Sequence, residues 1–138
     1  MTDQPSAESG QVTAFVVVLM IGLLVMAGLV IDGGRYFSAR RQAQNLAAGA
    51  ARAGAQGLSE DSLRDPASQP TLDPTDAYDR ANAYLHAAGT SGTILVSTDA
   101  VTVTVHTTVT PSILGVVGVG DRTLTATETA IAQSGPAP

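Results

Sequence analysis

The sequence predicts an α+β fold: a long N-terminal helix, half transmembrane and half soluble, packed on a small three-stranded antiparallel sheet with one short helix. Three features predict it. Val12 to Ile31 is an uncharged apolar run, alanine recurs every fourth residue from Ala39 to Ala55, and from residue 93 the apolar pattern changes to a period of two.

Residues 1–10, MTDQPSAESG, are read as a short polar leader whose charges are Asp3 and Glu8. No charged residue then occurs between Ser9 and Ile31, and the twenty residues from Val12 to Ile31 are mostly Val, Leu, Ile and Met. As a helix this run is about 30 Å long, the thickness of a bilayer's hydrocarbon core. It has no polar face, which argues against a helix lying on the membrane surface. A cleaved secretory signal would carry a basic start and a shorter apolar stretch. A buried core helix would need more large apolar residues around it than the remaining chain supplies. Residues 11–31 are therefore expected to be a transmembrane helix.

The span closes at Asp32-Gly33-Gly34-Arg35. Asp32 and Arg35 are spaced to pair on one helix face, and Tyr36 and Phe37 suit the headgroup belt. An interfacial end to the span is preferred here over site chemistry. Gly33-Gly34 weakens the helix, as a C-cap, a hinge or a place of close helix approach. Residues 32–57 are expected to continue the helix outside the membrane. Ala39, Ala43, Ala47, Ala51 and Ala55 form one ridge of it, widened by Leu46, Ala50 and Gly54, and a ridge of small residues lets another element approach closely.

Residues 58–76, with three prolines and many acids, read as an exposed loop. Residues 77–134 are expected to form the small α+β domain. Thr75 or Asp76 caps its short helix, Ala77, Tyr84, Leu85 and Ala88 face inward, and Gly89 stops it. Residues 93–98, 100–110 and 121–132 alternate as strands rich in Thr and β-branched residues, with a turn at Thr98-Asp99. Val101, Val103, Val105 and Val109 share one face; Thr102, Thr104, His106 and Thr108 share the other. Between the last two strands, PSILGVVGVG (111–120) is either tucked under the sheet or in touch with the membrane surface. The tail, 135–138, is expected to be disordered.

Composition narrows the function classes. The 138 residues carry a formal net charge of −5 and contain no lysine, so a nucleic-acid partner is not expected. Without cysteine there is no disulfide framework or thiol nucleophile. His86 and His106 sit on different elements, and neither has a carboxylate at ligand spacing, so no metal site is expected. Asp61, Asp65, Asp73, Asp76 and Asp79 lack the Gly-containing loop of a calcium site. GVVGVG lacks the lysine and hydroxyl of a phosphate-binding loop, and no serine sits in a nucleophile elbow. No catalytic residue, no cofactor and no enzyme activity are expected.

A glycine followed by VTAFVVVL, a span closing in IDGGR, and then ARRQAQNLAAGAARAGAQ resemble the TadE/TadG-like proteins of tight-adherence (Flp-type) pilus assembly, of the kind found in actinobacteria. Residues 10–57 carry the resemblance. It implies a single-pass, pseudopilin-like protein of the cytoplasmic membrane with a small extracytoplasmic domain. The implied role is that of a minor subunit or assembly factor of a pilus or related secretion system. Its partners would be membrane lipid, other pilin-like or pilus-assembly proteins, and a prepilin peptidase cutting between Gly10 and Gln11. The fifth position after Gly10 is Phe15, where a pilin carries Glu. Arg35, Arg40 and Arg41 after the span would by charge alone keep the C-terminal part inside; the resemblance puts it outside, and that orientation is expected. The alternative function is a membrane-tethered envelope-binding module unrelated to a pilus, whose Thr-rich sheet meets the ligand.

Overall fold

In the computed structural model, which describes residues 8–64 and 69–133, the apolar run and the alanine repeat lie on one helix, α1 (Glu8–Gly54), of 47 residues. No proline interrupts it, and the strong helix formers Ala, Gln and Arg fill much of its second half. Gly33 and Gly34 are helical, and a side chain at either would meet no neighbour. The pair is thus not a C-cap, and no described residue of the chain approaches it closely. The leader up to residue 7, residues 65–68 of the expected loop, and the tail from residue 134 lie outside the described residues.

The chain divides into two compact units. The first holds the described part of α1 up to Tyr36 together with Thr110–Asp121. Its large apolar side chains between Val12 and Ile31 are 42% to 75% exposed. A core helix of a soluble protein would bury them. Thr110–Asp121 contains a short 3-10 turn, Leu114–Val117, closed by Gly118 at φ +92°, a left-handed conformation that glycine adopts without strain.

The second unit begins at Phe37 and omits Thr110–Asp121. Its elements are the rest of α1, a one-turn helix α2 (Glu60–Arg64), α3 (Pro74–Ala87), and strands β1 (Gly92–Val96), β2 (Ala100–Val109) and β3 (Arg122–Ile131). The sheet is antiparallel in the order β1-β2-β3. A tight turn joins β1 to β2, with the Ser97 N–H donating to the Ala100 carbonyl at 2.8 Å. The segment expected as an exposed loop is more ordered than that: it carries α2, Leu58 bridges Leu72, and Leu72 is buried.

Period two sorts β2 cleanly. Val101, Val103 and Val105 are fully buried, in one core with Ala43, Ala47, Ala50 and Ala51 of α1 and Ala77, Ala81 and Leu85 of α3. On the other face Thr102 pairs with Thr129 at 2.8 Å and Thr104 with Thr127 at 2.9 Å, while His106 Nδ1 meets Thr125 at 3.1 Å. Facing polar side chains across a strand pair stabilise its register.

Two details of α3 differ from expectation. Its cap is Asp73, whose Oδ1 accepts the N–H of Thr75 at 2.8 Å and of Asp76 at 3.0 Å. Pro74 takes the first helical position, where a missing N–H costs nothing, and this moves the cap ahead of Thr75 and Asp76. The inward residues are Ala77, Ala81 and Leu85, while Tyr84 and Ala88 are exposed. Gly89, at φ +67°, does end the helix: its N–H donates to the His86 carbonyl and the Thr90 N–H donates to that of Leu85. Removing the cap with Asp73→Ala is expected to destabilise the second unit by about 1 kcal/mol. Thermal unfolding followed by circular dichroism would read this as a lower midpoint; an unchanged midpoint would mean that water replaces the carboxylate.

Candidate functional site

Asp32 is 7% exposed and is the buried charged residue among the described ones. A carboxylate at the end of an apolar helix needs donors, and the helix itself has none free in mid-course. They come from Thr110–Asp121 of the same unit. Asp32 Oδ1 accepts the Ser112 N–H at 2.9 Å; its Oδ2 accepts the N–H of Ile113 at 3.0 Å and of Leu114 at 2.8 Å. Three successive amides converging on one anion form a nest, a backbone concavity that favours negative charge. Pro111, which has no N–H, precedes them. Arg35 donates from its guanidinium to the Ser112 hydroxyl. Asp32 and Arg35, expected to pair with each other, both clasp one loop, through different atoms of it.

One helical turn before Asp32, Gly28 lets the loop lie against the helix. A methyl group there would come within 2.8 Å of Ile113 Cγ2 and 3.2 Å of its Cβ. Beyond this contact an apolar cleft of about 240 Å³ is lined by Ile21, Leu24, Val25, Ile113, Leu114 and Val116. Within the first unit, Thr110–Asp121 packs against α1.

The other candidate residues are distributed as follows. Gly10 and Gln11 lie in the helical start of α1, and Gln11 is exposed. Ala43, Ala47 and Ala51 are buried within the second unit, whereas Ala39 and Ala55 are half-buried. At Gly54, beside the ridge, α1 and α3 approach closely: a Cβ there would meet the Ala77 carbonyl at 2.9 Å and the Ala81 Cβ at 3.2 Å. Among the described residues no group of three His, Asp or Glu side chains is placed to hold a metal ion.

Sequence reading missed the amides of residues 112–114. The available signal was a lone acid closing an apolar run, which demands a partner, together with an uncharged Pro- and Gly-bearing stretch elsewhere in the chain.

Fold and site together define a class: one N-terminal helix long and apolar enough to cross a membrane, joined to a small α+β unit. Residues 10–57 match the family described as "Putative Flp pilus-assembly TadE/G-like". That stretch is similar to the TadE/G-like family, and with the helix the match is consistent with a pilus-related membrane protein. No curated protein and no solved structure matches the chain.

Proposed function

We propose that this protein is a single-pass, pseudopilin-like minor subunit or assembly factor of a Tad/Flp-type pilus or a related secretion system. Residues 11–31 cross the cytoplasmic membrane and the chain beyond them lies outside. The observation that carries this reading is the coincidence of the family match, residues 10–57, with the apolar helix and its alanine-rich continuation. Because Ala43, Ala47 and Ala51 are covered within their own unit, the surface left for partner helices is the exposed apolar stretch from Val12 to Ile31.

Phe15 bears on which role is filled. If a peptidase cuts after Gly10, the new amine of Gln11 meets no carboxylate at position 15 of a neighbouring copy. An unpaired charge carried into lipid costs about 2.5 kcal/mol or more. Retention at the membrane is favoured over polymerisation as a major pilin.

The test joins topology to fractionation. Alkaline phosphatase fused after Pro138 is expected to be active and a fluorescent protein at the same place dark. Native protein should stay in the membrane fraction and co-purify with pilus-assembly proteins, with its N-terminus by mass spectrometry either intact or at Gln11. A fluorescent, phosphatase-inactive C-terminus would reverse the topology, and recovery of most of the protein in sheared filaments would make it a major subunit.

A further inference from the structure

We infer that the β2–β3 loop, Thr110–Asp121, is a second membrane-inserted element, and that its occupant is lipid: the acyl chains of the leaflet that also surrounds the Asp32 end of the helix. This rests on the reading of residues 11–31 as a membrane span and adds to it.

Depth is the first ground. The loop meets α1 at Gly28, and its cleft with the helix reaches from Val25 to Ile21. These residues precede Asp32 by four, seven and eleven positions, or about 6, 10 and 16 Å along a helix. If Asp32 marks the hydrocarbon boundary, the tip of the loop is level with the acyl chains of one leaflet, which is roughly 15 Å deep.

Irregular backbone tolerates that depth only when its polar groups are satisfied within the protein. Here the amides of Ser112, Ile113 and Leu114 are taken by Asp32. Those of Val116, Gly118 and Val119 donate to the carbonyls of Ile113, Gly115 and Leu114 at 3.1 to 3.2 Å. Asp32 thus has a defined part: it turns the entry of the loop into a segment whose donors need no water.

The side chains agree. From Thr110 to Gly120 there is no charge; Asp121 and Arg122 follow at once. Val116 is 87% exposed and Val119 also presents its side chain, continuous with the exposed apolar helix on the far wall of the cleft. In water such a tip would be an aggregation liability; in lipid it is in its matching solvent.

The chain has no tryptophan, so a single one reports its own surroundings. Full-length Val116→Trp would be reconstituted in phosphatidylcholine–phosphatidylglycerol vesicles. Val18→Trp would report the helix and Thr93→Trp, exposed on β1, the second unit; Val119→Trp stands in if Val116→Trp misfolds. The expected result is blue-shifted emission from Val116→Trp and Val18→Trp, quenched by nitroxides on the acyl chains and shielded from aqueous iodide, with the reverse for Thr93→Trp. Quenching by lipid at Val18 but by iodide at Val116 and Val119 would overturn loop insertion and leave the span standing. Lipid quenching at none of these positions would overturn the span itself. A loop reporter shielded from iodide yet quenched by lipid only after dilution in excess lipid would identify a second copy, not lipid, as the occupant.

Discussion

Asp32→Ala is expected to free the 110–121 loop from its helix while leaving the second unit folded. The substitution removes one acceptor group but strands three part-buried donors, the N–H groups of Ser112, Ile113 and Leu114. A buried donor left without a partner costs about 1–3 kcal/mol, and bonds to a charged acceptor are the stronger kind. Even the low end for all three sums to about 3 kcal/mol, or roughly a 100-fold gain in the population of the open loop. Hydrogen exchange at these three amides in vesicles should speed up by that factor or more. Asp32→Asn keeps one carbonyl oxygen, so its effect should fall between the two. Membrane insertion is a useful control, because removing a charge makes it easier, not harder. Unchanged exchange in Asp32→Ala would show that the clasp contributes nothing.

Ala51→Leu and Ala47→Leu are expected to be the next most damaging changes. Both alanines are fully buried, in a core that also holds the small side chains of Ala50, Ala77 and Ala81. Three methyl-sized groups have to be accommodated where the neighbouring Gly54 already leaves less than a methyl's room against the Ala77 carbonyl. Overpacking of this kind costs about 1–3 kcal/mol. For a unit of this size the thermal midpoint should fall by about 4–8 °C per kcal/mol. Gln44→Leu, on the exposed neighbouring ridge, should move it by far less. Unchanged midpoints for Ala47→Leu and Ala51→Leu would mean that these positions do not pack.

Much of the architecture was legible because it is periodic. The apolar run announces its length, the valines of β2 alternate, and the alanines of α1 recur at a spacing that only a helix turns into a face. What was not legible involves choices that periodicity does not make. In the string Asp73-Pro74-Thr75-Asp76 three residues are able to cap α3, and the proline decides by fitting only the first turn. The inward residues of α3 were expected to be Ala77, Tyr84, Leu85 and Ala88, of which Ala77 and Leu85 are buried. The face it meets is an alanine ridge, so the small residues Ala77 and Ala81 go inward and Tyr84 stays half outside. Asp32 was read with its neighbour at i+3 because local spacing is all a helical pattern offers. Its real partners lie 80 to 82 positions away, and no residue in PSILGVVGVG advertises a free amide.

That separation also sets an order of events in time. Asp32 leaves the ribosome 80 residues before Ser112 does. At roughly 5–20 residues per second the interval is about 4–16 s. If the apolar helix enters a membrane during that interval, it does so with its acid still unpartnered, since every donor it will bind is unmade. The clasp is accordingly among the last contacts to close. A chain stopped before residue 112 would carry the full apolar helix and most of the second unit's residues, yet keep Asp32 waiting, a marker by which nascent and finished molecules differ at a single carboxylate.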